Sequence, residues 1–226
     1  TIKEGLRIGT VLKQLADATG KPLTDFTSAA SDLAGLGIST SAPSAEGYLF
    51  PATYAFDPGL TAHQILKQMV DRCYQELDHY GVAIADRHRV LTLASIIQKE
   101  ARQTQDFYKV SRVFTNRLKI GMKLQSDATV SYGSGGTTVT TTAAERASNN
   151  GYNTYVHSGL PIGPIGGPGS LAIDAALHPA AGSWLYFVAV NLQTGETVFS
   201  TTAAQHDAAV AQWQAWMRAN PGWNGN

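Results

Sequence analysis

Residues 91–133, LTLASIIQKEARQTQDFYKVSRVFTNRLKIGMKLQSDATVSYG, decide how this chain is read. The apolar run before Gln98 predicts a helix over residues 82–101 that delivers one carboxylate, Glu100, near its end. A second helix is predicted over 106–118, closed by a turn at Gly121. The polar segment Gln125-Ser126-Asp127 then follows, of a kind that lines a cleft. A carboxyl group at the edge of an apolar helix face is partly desolvated, which raises its pKa. The negative end of the helix dipole pushes the same way. A carboxyl that keeps its proton near neutral pH can serve as a general acid.

The bulk numbers narrow the field. With 226 residues, 43% of them hydrophobic, the chain can bury one substantial core. Lys plus Arg and Asp plus Glu are equal at 17 each, so there is no basic field to hold a nucleic-acid backbone. The single Cys73 has no partner for an internal disulfide and reads as a small buried hydrophobe. His157, His178 and His206 have no ligand spacing, so neither a metal nor a cofactor is expected. No apolar run is long enough to cross a bilayer.

Working outward, Ile8, Val11, Leu12, Leu15 and Ala16 recur at helical spacing up to Gly20. A second short helix is expected over 23–36, and the Ser/Thr/Pro stretch 39–45 reads as a connector. Aromatic alternation in 46–56 suggests an extended segment, and Pro51 argues against a central strand. An amphipathic helix is expected over 60–80, with Thr61 as its cap. Residues 134–151 read as a flexible or locally helical excursion. The run Gly159 onward, GLPIGPIGGPG, reads as a loop with a fixed backbone. It lacks the Gly-Lys-Ser/Thr ending of a phosphate loop, and its prolines remove amide donors. A short helix over 170–177, a hairpin of 184–190 with 196–200, and a closing helix over 203–217 complete the chain.

The motifs Ser95-Ile96-Ile97-Gln98-Lys99-Glu100, Val113-Phe114-Thr115-Asn116-Arg117-Leu118 and Gly121-Met122-Lys123-Leu124-Gln125-Ser126-Asp127 resemble those of the endolytic murein transglycosylases, the MltG or YceG-like family. So does Glu46-Gly47-Tyr48-Leu49-Phe50-Pro51, although Ala52 stands where the family usually has Asp. The Gly/Pro loop departs at Ile162 and Gly167, which replace a Pro and an Asn. The resemblance implies an α+β fold: a helix-rich catalytic domain over 46–226 with a short antiparallel sheet. It also implies a small LysM-like subdomain over 1–40, opening with a strand and turn at TIKEGL. It further implies a single-pass membrane anchor ahead of an extracytoplasmic domain, an anchor absent from these residues.

The family's catalytic glutamate carries over to Glu100, whereas Gln98, often Glu in relatives, cannot exchange protons. The implied reaction cuts the bond between N-acetylmuramic acid and N-acetylglucosamine inside peptidoglycan glycan strands and leaves a 1,6-anhydro end. Peptidoglycan synthases (penicillin-binding proteins) are the implied protein partners, and termination of nascent strands the implied role. Candidate substrate-binding residues are Glu46, Asn116, Gln125, Asp127, Tyr152, Asn153, Thr154 and Tyr155, whose amides, hydroxyls and rings suit sugars. Asp127 either orients substrate or caps its loop. Arg117 is expected to pair with Glu46 or Asp127. His206 either reaches the cleft or anchors the last helix, and the anchor is preferred. Two rival readings stay open: a hydrolase that uses Asp127 as a second carboxylate, and a non-catalytic glycan-binding module.

Overall fold

The computed structural model describes residues 1–136 and 141–223. Helix α1 (Ile8–Thr19) ends on Gly20 in the left-handed conformation (φ 69°), as its position after the last apolar residue predicts. Helix α2 (Leu23–Ser31) is shorter than expected, and α3 (Ala62–His79) begins with a capping box between Thr61 and Gln64. After a single 3₁₀ turn at Ile84–Asp86 comes α4 (Arg87–Glu100), and then α5 (Thr104–Lys119). The helix expected over 82–101 therefore starts later, but it ends on the anticipated glutamate.

Every residue of α4 from Val90 to Ile97 is buried. A helix apolar all round belongs in a core, and α4 is packed by α5, α6 (Asp127–Gly133) and α8 (Ser170–Leu177). Its two mid-helix hydroxyls are satisfied. Thr92 donates to the His88 carbonyl (2.7 Å), while Ser95 donates to the Thr92 carbonyl and accepts from the Ile165 amide (3.0 Å). Gln98 accepts from the Gly169 amide at 3.0 Å. The Gly/Pro loop is thus fixed by side chains of α4, as well as by its own composition. Gly47 lies against the same loop with φ 83°, and a Cβ there would meet Pro164 Cβ at 2.4 Å.

Strands β1 (Tyr186–Asn191) and β2 (Glu196–Ser200) pair antiparallel, with Phe187 opposite Phe199 and a bulge between Ala189 and Asn191. Helix α9 (Ala203–Ala219) packs along both strands. Within the 134–151 excursion, a one-turn helix α7 (Ala143–Ala147) is closed by a Thr142–Glu145 capping box; residues 137–140 of that excursion lie outside the described residues. Among the described residues the architecture is α+β, a helical body with one hairpin.

Three expectations change. Residues 46–48 form a turn that bends on at Leu49 instead of an extended segment, with Tyr48, Leu49 and Phe50 all buried. No strand forms in residues 1–40: the opening segment bonds to Ala52 and Gly167, and its apolar residues join the same core as α3 and α4. Glu46, expected to meet substrate, is instead buried at 2% exposure and lies outside the cleft described below. Its two oxygens accept from the Ile8 amide at the start of α1 (2.9 and 3.1 Å), and one also accepts from the Tyr132 hydroxyl (3.1 Å). It therefore caps α1 and ties it to α6.

Glu46→Ala leaves the Ile8 amide and the Tyr132 hydroxyl without their acceptor, and is expected to cost about 3 kcal/mol. Glu46→Gln keeps an acceptor and is expected to lose about 1 kcal/mol or less. Urea denaturation midpoints at unchanged m-value measure both; equal losses would show that the charge, and not the acceptor, is what matters.

Candidate active site

Glu100 is the last residue of α4, where the buried helix reaches a cleft. Burial is the largest influence on its carboxyl and raises the pKa, and the nearby Asp127 charge adds to the rise. The Ser126 hydroxyl, which donates to Glu100 Oε1 at 2.5 Å, pulls the other way, as do the Ala128 amide and Arg102. The net direction is upward, so Glu100 holds its proton to higher pH than a free glutamate does. Such a group can deliver a proton and later accept one.

The segment facing Glu100 is pinned from behind. The Ser126 amide donates to Thr154 Oγ1 (3.0 Å), and the Gln125 amide donates to the Thr154 carbonyl (3.1 Å). Thr129 donates to the Ser126 carbonyl and shares a hydrogen bond with Thr154 (both 2.8 Å). Gln125 takes the left-handed conformation (φ 51°), uncommon outside glycine, with its side chain exposed. Arg117 makes no ion pair with Glu46 or Asp127. It donates to the carbonyls of Leu185 (2.6 Å) and Leu124 (2.8 Å), joining the start of the hairpin to this segment.

Several candidates for sugar contact are spent on the backbone. Asn153, fully buried, reaches the carbonyls of Glu145, Arg146 and Ser148 with its amide nitrogen and accepts from the Tyr155 amide (2.9 Å). Thr154 is buried at 1% exposure in the contacts just described. Asn116 donates to the carbonyls of Gly182 (3.2 Å) and Trp184 (2.9 Å), outside the cleft. Tyr152 is also outside the cleft, its ring packed on Tyr132 at 4.7 Å between centroids.

The remaining candidates do line the cleft, which has two lobes meeting at Glu100, Asp127, Phe187 and Val188. The first lobe, about 380 Å³, adds Arg7, Lys99 and Arg102. The second, about 420 Å³, adds Gln125, Tyr155, Tyr186, His206 and Trp213. Asp127 accepts from the Thr141 hydroxyl (2.5 Å) and the Tyr155 hydroxyl (3.1 Å). His206 both lines the second lobe and stacks on Tyr186 at 5.2 Å, so it reaches the cleft as well as seating α9. Burial lowers its pKa and favours the neutral ring. Sequence reasoning found the hairpin but missed its role: alternation along β1 marks a strand, not the surface it faces. It also passed over Arg7, Lys99 and Arg102, whose charges look like ordinary surface groups until the N-terminal segment is folded onto α4.

A family model described as the YceG-like family matches residues 1–212. A Bacillus subtilis (strain 168) protein named endolytic murein transglycosylase is 39% identical over 169 residues, covering 73% of this chain and 46% of the relative. A Streptococcus pneumoniae (serotype 2) protein of the same name is 31% identical over 176 residues, covering 74% of this chain and 32% of the relative. The chain thus spans about half the length of the first relative and about a third of the second. The 2.6 Å crystal structure of a yceG-like protein from Listeria monocytogenes superposes with a TM-score of 0.80 at 32% identity, over 92% of this chain and 74% of that one.

Because the folded pKa of Glu100 lies above its ordinary 4.5, the folded state keeps a proton that the unfolded state releases. Stability from this group is therefore present below about pH 4.5 and lost as pH rises towards the folded value. Glu100→Gln removes that loss, so its melting temperature is expected to gain on wild type between pH 4 and pH 7 in calorimetry. A difference that does not change with pH would contradict the burial argument. Asn153→Ala orphans several backbone groups and is expected to cost about 2–3 kcal/mol in chemical denaturation, whereas Gln125→Ala stays within about 0.5 kcal/mol.

Proposed function

The chain belongs to the YceG-like family, and on that premise we propose that it is an endolytic lytic transglycosylase of peptidoglycan. The observation that carries this reading is a carboxyl of raised pKa placed midway along a cleft with a lobe on either side. A strand that enters one lobe and leaves by the other would be cut internally.

Glu100 donates its proton to the oxygen that links N-acetylmuramic acid to N-acetylglucosamine. The bond from the muramic C1 to that oxygen breaks, and the Glu100 carboxylate takes the proton of the same sugar's C6 hydroxyl. The C6 oxygen closes on C1 to form the 1,6-anhydro ring, and no water is consumed. An internal nucleophile has a high effective concentration, so no second acid–base group is required. Ser126 holds the Glu100 carboxyl in place, and Asp127, itself held by Tyr155 and Thr141, stabilises positive charge developing at C1. The aromatic lobe provides flat rings for the faces of the sugars. Attachment to the membrane outside the cytoplasm, work beside peptidoglycan synthases and termination of nascent strands belong to the same proposal.

A hydrolytic variant is favoured by one observation, the second carboxylate Asp127 close enough to raise the pKa of Glu100. The two reactions leave different ends: an anhydro end is lighter than a reducing end by one water. Mass spectrometry of products from purified peptidoglycan is expected to find anhydro ends, and none with Glu100→Gln. Asp127→Asn is expected to retain activity, lowered roughly tenfold, about 1.4 kcal/mol of transition-state stabilisation. Reducing ends, together with a folded but inactive Asp127→Asn, would establish the hydrolase instead.

A further inference from the structure

The two lobes of the cleft differ in chemistry. The second is walled by rings, and its one arginine, Arg117, is already committed to backbone carbonyls. The first carries Arg7, Lys99 and Arg102 along its wall. Among the described residues none of the three forms an ion pair. Arg7 is steadied by the Ser131 hydroxyl (3.4 Å) and by the ring of Tyr132 (5.1 Å from its centroid). Both contacts fix its place without neutralising it.

Partial burial, and then the Arg7 charge, lower the pKa of Lys99, and the Glu46 charge raises it without reversing the direction, so the two cations feel each other across the lobe. Glu100 and Asp127 line the same lobe, and the Glu46 charge acts on Arg7 and Lys99 from behind. Three lining cations against two lining carboxylates, one of which favours its proton, still leave a positive wall that suits an anionic ligand. Glu46 takes part in the arrangement from behind, because its grip on the Ile8 amide seats the residue next to Arg7.

Sugar rings are uncharged, and where a stem is attached the lactyl carboxyl of the muramic residue is tied up in the amide to that stem; the charge of stem-bearing glycan then lies in the carboxylates of the stem. We propose that Arg7, Lys99 and Arg102 bind a carboxylate of that stem, so the first lobe selects glycan that still bears peptide. This rests on the peptidoglycan reading above and adds to it a substrate preference and a direction for the strand. The stem-bearing muramic residue sits on the cationic side, and the aromatic lobe takes sugar faces.

The test is binding to the Glu100→Gln chain, which separates recognition from cleavage. Ligands are glycan fragments with free-acid stems, with amidated stems, without stems and with the exposed lactyl carboxyls amidated, and the last of these ending in a lipid-linked pyrophosphate. Free-acid stems are expected to bind about tenfold tighter than stem-free glycan at low salt, the sum of two or three exposed charge pairs. The gain, read as the ratio of stem-bearing to stem-free affinity, should shrink at high salt and vanish in a Lys99→Ala/Arg102→Ala double variant. Both side chains are exposed, so the melting temperature should hold. Equal affinity for stem-bearing and stem-free glycan overturns the proposal. So does an undiminished gain with amidated stems, or a gain that follows the pyrophosphate instead of the stem. If free-acid stems are preferred but the wild-type chain cuts no glycan, the transglycosylase reading fails and this one survives.

Discussion

A carboxyl group largely desolvated at the end of a helix buried from Val90 to Ile97 is the constraint on which this structure depends. Helix α4 has no solvent face from Val90 to Ile97, so its last turn can meet water only by opening into a cleft. Glu100 occupies that opening. Removing a carboxylate from water costs several kcal/mol, whereas one hydrogen bond to the charged form returns about 1.5–3 kcal/mol. Burial therefore outweighs the Ser126 hydrogen bond, and the proton is favoured.

Keeping the facing segment in place is the second requirement, and it falls to buried polar side chains. Among the described residues between α6 and α8 only the one-turn α7 is regular, and no sheet there satisfies the amides and carbonyls. Asn153 and Thr154 serve as the missing partners, and Arg117 does the same where the hairpin meets Leu124. Each has its buried polar atoms hydrogen-bonded to this backbone, the condition under which buried polar networks rigidify a site instead of weakening it. The left-handed backbone at Gln125 stores its strain in this same stretch, and two hydrogen bonds to Thr154 hold it there.

The remaining walls arrive from distant parts of the chain. Strand β1 presents Tyr186, Phe187 and Val188 to the cleft, and α9 backs the hairpin and adds His206 and Trp213. From the other end, the Glu46 cap seats α1 so that Arg7 reaches the first lobe. The N-terminal segment is thus part of the cleft as well as part of the core.

By itself the sequence determined what depends on neighbours a few residues away. Apolar spacing marked α1 and α3, Thr61 and Gly20 marked helix ends, and the helices near α5, α8 and α9 and the closing hairpin were also expected from local sequence. The solitary Glu100 was legible too, because its apolar run and its charge lie on one helix. Which polar side chains face the cleft was decided only by the tertiary structure. Asn116 finds its carbonyls 66 and 68 residues away, and Glu46 finds an amide 38 residues away. Gln125, Asp127 and Tyr155, of the same residue types, face the cleft instead. An amide or carboxylate suits a sugar hydroxyl and an orphaned backbone group equally well. Residue type therefore cannot separate the two roles, and only the path of the distant backbone does.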